Sequence, residues 1–288
     1  MAGVSGDVCV SARGESEVDR RGDGRGAGEA GAAGRGQGVE TINGEWYMKG
    51  CAWDDPARLK TVDEAAELIR RIGFLPLFSN DIPGFSVEER TLSRDWWTDD
   101  PARDPWAWRQ ILSRHPDILY GKFFDRRAGF VSRDWFPTFA NYRRNGYDFD
   151  TLIDEEKAPH RARKLMQPFL TGGLPNGTEL HSFLLKAQAG FSKGGEKNFE
   201  GVLTELEMQT YLCIGDFRQR LNKAGQPYGW HIAVITPPET KLGYDRIAEA
   251  YRESPHDSWE KIVAQIRHFF PEATDMQLKK WLGNNRRL

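Results

Sequence analysis

The chain has 288 residues, with 40 Lys+Arg against 42 Asp+Glu and a formal net charge of −2. That length allows one large or two modest domains with a sizeable core, and the neutral balance excludes a general polyanion-coating protein while permitting a local basic face. Cys9, Cys51 and Cys213 are far apart and in no ligand spacing, which argues against a disulfide scaffold and for a reducing, cytoplasmic setting. No apolar run approaches a membrane span, and the N-terminus shows no secretory apolar segment.

Residues 1–43 are rich in Gly, Ala and Arg. Such a stretch cannot bury enough apolar surface to offset its ordering entropy, so a disordered tail is expected. Order is predicted to begin at Glu45-Trp46-Tyr47. A helix is predicted over Thr61–Ile72, with the Thr61/Glu64 spacing of a capping box and an apolar face of Ala65, Leu68, Ile69 and Ile72. Gly73 ends it, and Phe74-Leu75-Pro76-Leu77-Phe78 reads as a buried loop or edge strand because proline removes a ladder donor. A second helix is predicted over Pro101–Leu112, capped by Asp104 with Pro105 at its first position. Ile118–Phe124 and Gly129–Val131 read as two strands around Asp125-Arg126-Arg127. Ser132 is expected to cap a helix carrying Trp135, Phe136, Phe139 and Tyr142.

The second half predicts a helix over Glu155–Leu170, an extended piece at Glu179–His181 and a short helix over Phe183–Ala189. A tight loop, Phe191–Lys197, then leads to Asn198 as N-cap of a helix over Phe199–Met208. Two β-type runs follow, Thr210–Phe217 and Tyr228–Ile235, around a Lys-Ala-Gly turn at 223–225. Helix, short strand, helix, turn, helix and hairpin is the winged-helix order. In such a unit the third helix enters a major groove and the hairpin reaches an adjacent phosphate or minor groove. Lys193, Lys197, Arg218, Arg220 and Lys223 are therefore expected to contact phosphate, with the amides around Gly194-Gly195 as an anion seat. Asn198 and Glu205 are candidates for base edges or plain capping. Helices at Ser258–His268 and Thr274–Trp281 close the chain.

These elements predict a mainly α chain with small β-hairpins (α+β), in tandem winged-helix units. The expected divisions are a tail at 1–43, an N-terminal helical domain with short strands at 44–150, possessing the outline of a degenerate winged helix, a winged-helix domain at 151–240, and C-terminal helices at 241–288 packing on that unit. His, Cys, Asp and Glu are in no metal spacing, no phosphate-cradling glycine motif is present, and no cofactor or metal is expected.

Two strings carry a resemblance. Leu119–Phe124 through Ala128–Pro137, and Phe199-Glu200-Gly201-Val202-Leu203-Thr204-Glu205-Leu206-Glu207-Met208-Gln209, resemble the AlkZ/YcaQ group of winged-helix DNA glycosylases, and most closely its short AlkZ-related branch. The resemblance spans roughly Leu59 to Ile235. It implies tandem winged helices and, for active members, excision of alkylated or cross-linked bases without a metal. Active members carry a Gln-x-Gln or Gln-x-Asp pair that polarises the attacking water, in a Gly-aromatic-aliphatic-Gln context. The matching positions here are Pro76 and Phe78, neither of which polarises water, with Asp81 three residues on as a substitute acid. The leading expectation is a DNA-binding, repair-associated protein without the parental pair. The alternatives are an active glycosylase with a relocated acid, and a scaffold for a protein partner.

Overall fold

The computed structural model describes residues 40–42, 45–171, 174–222 and 224–283. Strands β1 (Glu40–Ile42) and β2 (Glu45–Tyr47) form a separate two-stranded ladder. Helix α1 (Val62–Ile72) begins at Thr61, whose side chain accepts from the Glu64 amide, and ends at Gly73, whose φ of 93° suits glycine. β3 (Phe74–Pro76) follows at once. α2 (Pro105–Arg114) starts at Asp104, whose carboxylate accepts from Trp106 N. β4 (Ile118–Phe124) and β5 (Arg127–Ser132) form a hairpin turned at Asp125 and Arg126, both with positive φ.

Ser132 does not cap a helix. It is the last residue of β5, paired with Ile118, and its amide is taken by Gly73 O at 2.8 Å. α3 (Phe136–Arg144) starts after Trp135 instead, without a side-chain cap. α4 (Phe149–Asp154) ends before the helix expected over Glu155–Leu170, which is reduced to α5 (His160–Met166) and a 3-10 turn at Gln167–Phe169. Glu156 at φ 56° and Pro159 ahead of α5 break the run, because neither continues a right-handed helix. The short strands β6 (Leu170–Thr171), β7 (Leu174–Pro175) and β8 (Leu180–His181) precede α6 (Ser182–Gln188) and α7 (Phe199–Met208). β9 (Cys213–Leu221) and β10 (Pro227–Thr236) make the second hairpin. The chain closes with α8 (Pro238–Leu242), α9 (Tyr244–Ala248), α10 (Pro255–Phe269) and α11 (Asp275–Trp281). Ser254, not Ser258, sits at the start of α10, while Thr274 caps α11 in a reciprocal box with Gln277.

The fold is α+β, and its β part is larger than two separate hairpins. One six-stranded sheet runs β3-β5-β4-β9-β10-β8. The halves join where Tyr120 on β4 opposes Ile214 on β9. Outward from that junction each half runs first hairpin strand, second hairpin strand, then a short strand from earlier in the chain, β4-β5-β3 on one side and β9-β10-β8 on the other. Close approach is needed along this sheet. A Cβ on Gly129 would meet the Phe124 ring at 2.5 Å and Pro76 Cα at 2.8 Å.

Two adjacent arginines on α3 hold the junction. Arg143 is fully buried and donates to Phe123 O at 2.8 Å and Met208 O at 2.9 Å. Arg144 donates to Thr210 O at 2.7 Å and pairs with Glu239 at 2.7 Å. The C-terminal helices pack on the first half of the chain, whereas the sequence reading set them against residues 151–240. Trp259 of α10 stacks on Tyr142 of α3 with ring centroids 4.9 Å apart, and Gln265 donates to Ile72 O at 3.0 Å. Their large apolar faces complete the core around α1 and α3.

Lys241 on α8 ties this layer to the sheet by donating to Ser113 O at 2.7 Å and to Ile118 O. Burial pulls its pKa from an ordinary 10.5 down to about 8. Below that value both folded and unfolded chains hold the proton, and the cost of the buried charge is fully present. As pH rises towards the ordinary value, the unfolded chain binds more protons than the folded one, so stability rises. Wild type is expected to gain up to about 3 kcal/mol relative to Lys241→Met across this interval. Urea unfolding of both proteins at successive pH values between neutrality and the ordinary lysine pKa checks this, and a constant difference would contradict it.

Candidate nucleic-acid interface

The predicted recognition helix is not a free surface. Along α7, Phe199, Leu203, Thr204, Leu206, Glu207 and Met208 are buried. Its outward residues are Glu200, which is exposed, and Glu205, which is half-buried and paired with Arg126 of the β4–β5 turn. Two carboxylates and no cation on that face would repel phosphate. Asn198 stands at the N-cap position at φ 66° and makes no capping hydrogen bond. A Cβ on Gly201 would come within 2.4 Å of its side-chain oxygen, so the exposed Asn198 side chain lies across the helix start.

Lys193 and Lys197 are exposed in the loop from Gly190 to Asn198. The proposed anion seat there is partly used up by the loop itself: the Gly195 amide donates to Ser192 O at 2.8 Å and the Glu196 amide to Gly190 O at 2.9 Å. The Glu196 carboxylate is held by Lys164 at 3.0 Å and Arg161 at 3.1 Å, and these contacts lower its pKa. Arg218 on β9 is bound to Asp216 at 2.7 Å and Glu179 at 3.1 Å, which raises its pKa and occupies its charge. Arg220 differs. It is exposed, lies 5.0 Å over the Phe183 ring of α6, and has no carboxylate partner among the described residues. Lys223 lies outside the described residues. Phe183 is in the first turn of α6, and the Lys193–Lys197 loop follows its last. The two groups of cations therefore flank α6, separated by its length of roughly 10 Å. α6, with Phe183, Leu184 and Lys186 exposed, is the open helix of this half.

The outer hairpin carries side chains that a search for cations overlooks. β8 pairs with β10 only at Val234 and Ile235, and β4 pairs with β9 only at Ile214, so beyond Arg218 and Ile232 the two strands have no third strand beside them among the described residues. In the hairpin the register jumps from Tyr228↔Arg220 to Ile232↔Arg218, leaving Gly229-Trp230-His231 opposite Gln219 alone. Gly229 adopts φ 69° in this bulge, which turns Trp230 outward to 84% exposure; Leu221 is 65% exposed and Tyr228 48%. The signal in the sequence was Gly229 inside a β-type run, since glycine in a strand marks a bulge.

At the hairpin base an aromatic and arginine series leads back towards β3. The Arg109 guanidinium of α2 lies 4.4 Å over Phe217 and 3.6 Å over Trp106. Trp106 packs on Phe78 and Trp97, each at 6.4 Å between centroids, and Phe78 stacks on Trp96 at 5.8 Å. Trp97 sits at φ 58°, a strained setting for a bulky residue, with its amide held by Asp104 at 3.0 Å. His231 of the bulge has its pKa lowered by burial and then by Arg109 and Arg114, so it stays neutral to a lower pH than an ordinary histidine. Pro76 is buried in β3 opposite Gly129, and its carbonyl accepts from Val87 N at 3.0 Å. The Asp81 carboxylate is paired with Lys280 at 2.5 Å, and Gln277 donates to its backbone oxygen. A buried acid that sequence reasoning missed, Glu88, accepts from Ser79 N at 2.9 Å and Lys49 N at 3.2 Å, and burial raises its pKa.

Among the described residues, no group of three or more His, Cys, Asp or Glu is placed to hold a metal, and no helix is long and apolar enough to cross a membrane. Cys213 is buried and its thiol pushed up to about 12 by that burial. A residue pattern spread over most of this fold decides its family: the AlkZ-related family profile matches residues 59–283. The chain belongs to the AlkZ-related family. Among solved structures it is similar to the Streptomyces sahachiroi DNA glycosylase AlkZ, at 10% identity and a TM-score of 0.40, covering 80% of this chain and 61% of that one. No curated protein matches.

A small cleft elsewhere in this AlkZ-related chain is lined by Arg144, Asp148, Asp150, Tyr211, Glu239 and Tyr244 among others. Its polar groups satisfy one another. Asp148 accepts from Tyr251 at 2.5 Å and Tyr244 at 2.8 Å, and Arg144 bridges Glu239 and Asp148. Burial lowers the Arg144 pKa, but Glu239, Tyr251, Tyr211 and Asp148 outweigh it and hold the guanidinium charged. Arg144→Leu would leave two shielded carboxylates without their cation, and a loss of about 3–5 kcal/mol in urea unfolding is expected. A loss below about 1 kcal/mol would show that this cluster is solvated.

Proposed function

We propose that this chain binds DNA through the β9–β10 hairpin, α6 and the Lys193–Lys197 loop, in a DNA-repair setting and a cytoplasmic location, without the parental catalytic pair. In this reading the two halves are tandem winged-helix units, at residues 44–150 and 151–240, followed by the helices of 241–288. The repeated strand order on either side of the Tyr120–Ile214 junction supports it. The observation that carries the binding surface is the projecting hairpin: Trp230 and Tyr228 exposed on a bulge, with Arg220 unopposed by any carboxylate among the described residues. Exposed aromatics supply faces on which bases or sugars stack, and the arginine supplies charge for phosphate. Lys193, Lys197 and Lys223 extend the same role, while Arg218 is already neutralised and positions Glu179 and Asp216. α6 takes the groove-facing place that α7 cannot fill.

Family resemblance places the water-polarising pair at Pro76 and Phe78, and both are engaged in packing. Asp81 and Glu88, the acids nearest them in sequence, are held in the contacts given above. Base excision is therefore not expected. Two measurements test the proposal. In fluorescence anisotropy against a 20-base-pair duplex, wild type binds with a negative salt slope. Trp230→Ala weakens binding by roughly 5- to 100-fold, and Arg220→Gln lowers the slope by about one. In a base-release assay on alkylated DNA, wild type matches a protein-free control. Binding without a salt slope would favour the protein-partner scaffold, and release lost in Asp81→Asn would restore the relocated-acid enzyme.

A further inference from the structure

A second cationic and aromatic site lies beyond the β3 edge of the sheet, in a segment to which no function has been attached. Residues 51–59 form a loop fastened to residues 90–93: Cys51 N donates to Thr91 O at 2.8 Å and Leu59 N to Arg90 O at 2.6 Å. Gly50, at φ 63°, passes so close that an added Cβ would lie 2.6 Å from Ser93 N. This fixed loop presents Trp53 at 62% exposure. Two guanidiniums lie over its indole, Arg58 at 4.1 Å and Arg94 at 4.7 Å from the ring centroid. Arg58 also donates to Trp53 O at 2.8 Å, while its Nε–H is shielded and without a hydrogen-bond partner.

Two guanidiniums share one exposed ring here. Many exposed arginines have carboxylates, as in Arg70–Glu67, Arg103–Asp95, Arg161–Glu196 and Arg267–Asp275, whereas Arg220 of the hairpin has none among the described residues. Arg58 and Arg94 have none within ion-pair distance among the described residues. Nearby Asp95 is already held by Arg103, and Asp55 is turned to the Ala57 amide at 2.7 Å. The indole attracts each guanidinium, while the two like charges repel each other, a repulsion that a bound anion relieves.

Resting on the DNA-binding reading, we propose that Trp53, Arg58 and Arg94 form a separate contact for a nucleic-acid backbone. The guanidiniums engage neighbouring phosphates, and the open indole surface lies against the sugar or base between them. Planar cations stacked on an exposed ring match alternating phosphate and ring surfaces, whereas a point anion would use the charge and leave the indole idle. From β9 to β3 is three strand spacings, and the 85–95 segment lies beyond, so the site stands roughly 20 Å from the hairpin strands. That corresponds to about six base pairs at roughly 3.4 Å each. A 20-base-pair duplex is long enough to span both contacts.

The test is anisotropy with that duplex, using the full chain, Trp53→Ala, Arg94→Gln and the hairpin variant Arg220→Gln. Unchanged urea midpoints establish that the variants are folded, and Arg94→Gln leaves the Arg58–Trp53 hydrogen bond in place if the loop is sensitive to Trp53→Ala. Trp53→Ala is expected to weaken binding roughly 5- to 100-fold. Arg94→Gln is expected to lower the salt slope by about one, with its effect multiplying that of Arg220→Gln. Wild-type affinity in both Trp53→Ala and Arg94→Gln, with Arg220→Gln impaired, overturns this site and leaves the hairpin reading standing. No binding by the wild type removes both. Displacement by inorganic phosphate beyond that of chloride at equal ionic strength, lost in Arg94→Gln, would reduce the site to a simple anion seat and overturn the backbone contact.

Discussion

Arg143 and Arg144 are two successive residues on which the assembly of this protein turns. Buried cations are expensive unless their donors are used, and these are used to join the end of β4, the end of α7 and the following Thr210 in one hydrogen-bonded knot. Burial pulls Arg143 down to about 10, still well above neutrality, so it remains a cation. Arg144 is kept charged by carboxylates from the segment after α3 and from α8. Removing either would separate backbone carbonyls from their donors at the point where the two hairpins become one sheet.

That constraint shapes the exterior. Because α7 is drawn against β4 and α5 at the junction, its apolar stripe and even Glu207 are enclosed, and only glutamates remain outside. The surface role moves to elements that the junction leaves free. These are the outer halves of β9 and β10, which have no third strand beside them, and α6, which lies along β10 with exposed Phe183 and Leu184. The bulge at Gly229 adds a local twist that turns an aromatic side chain away from the ladder.

The segment around Pro76 and Phe78 is part of an aromatic stack. Phe78, Trp96, Trp97 and Trp106 pack in sequence, Arg109 links them to Phe217, and Asp104 both caps α2 and holds the Trp97 amide. A proline in β3 fits there because its missing N–H falls at the outer edge of the sheet, where the 85–88 segment needs only a carbonyl acceptor.

Local rules were legible in the residues. Thr61, Gly73, Asp104 and Thr274 mark helix ends because caps act within three residues, and the apolar spacing of Phe199–Met208 located α7 to the residue. The family, too, was contained in the string. Pairing between distant strands was not, since nothing in β4 or β9 alone states that Tyr120 will face Ile214. Burial of α7, neutralisation of Arg218 by Glu179 and the arrival of Arg94 over Trp53 beside Arg58 depend on partners tens of residues away. Sequence determined where helices start and stop and which residues are apolar. Only the tertiary structure decided which charges are left for a ligand, because a charge is free or spent according to what folds against it.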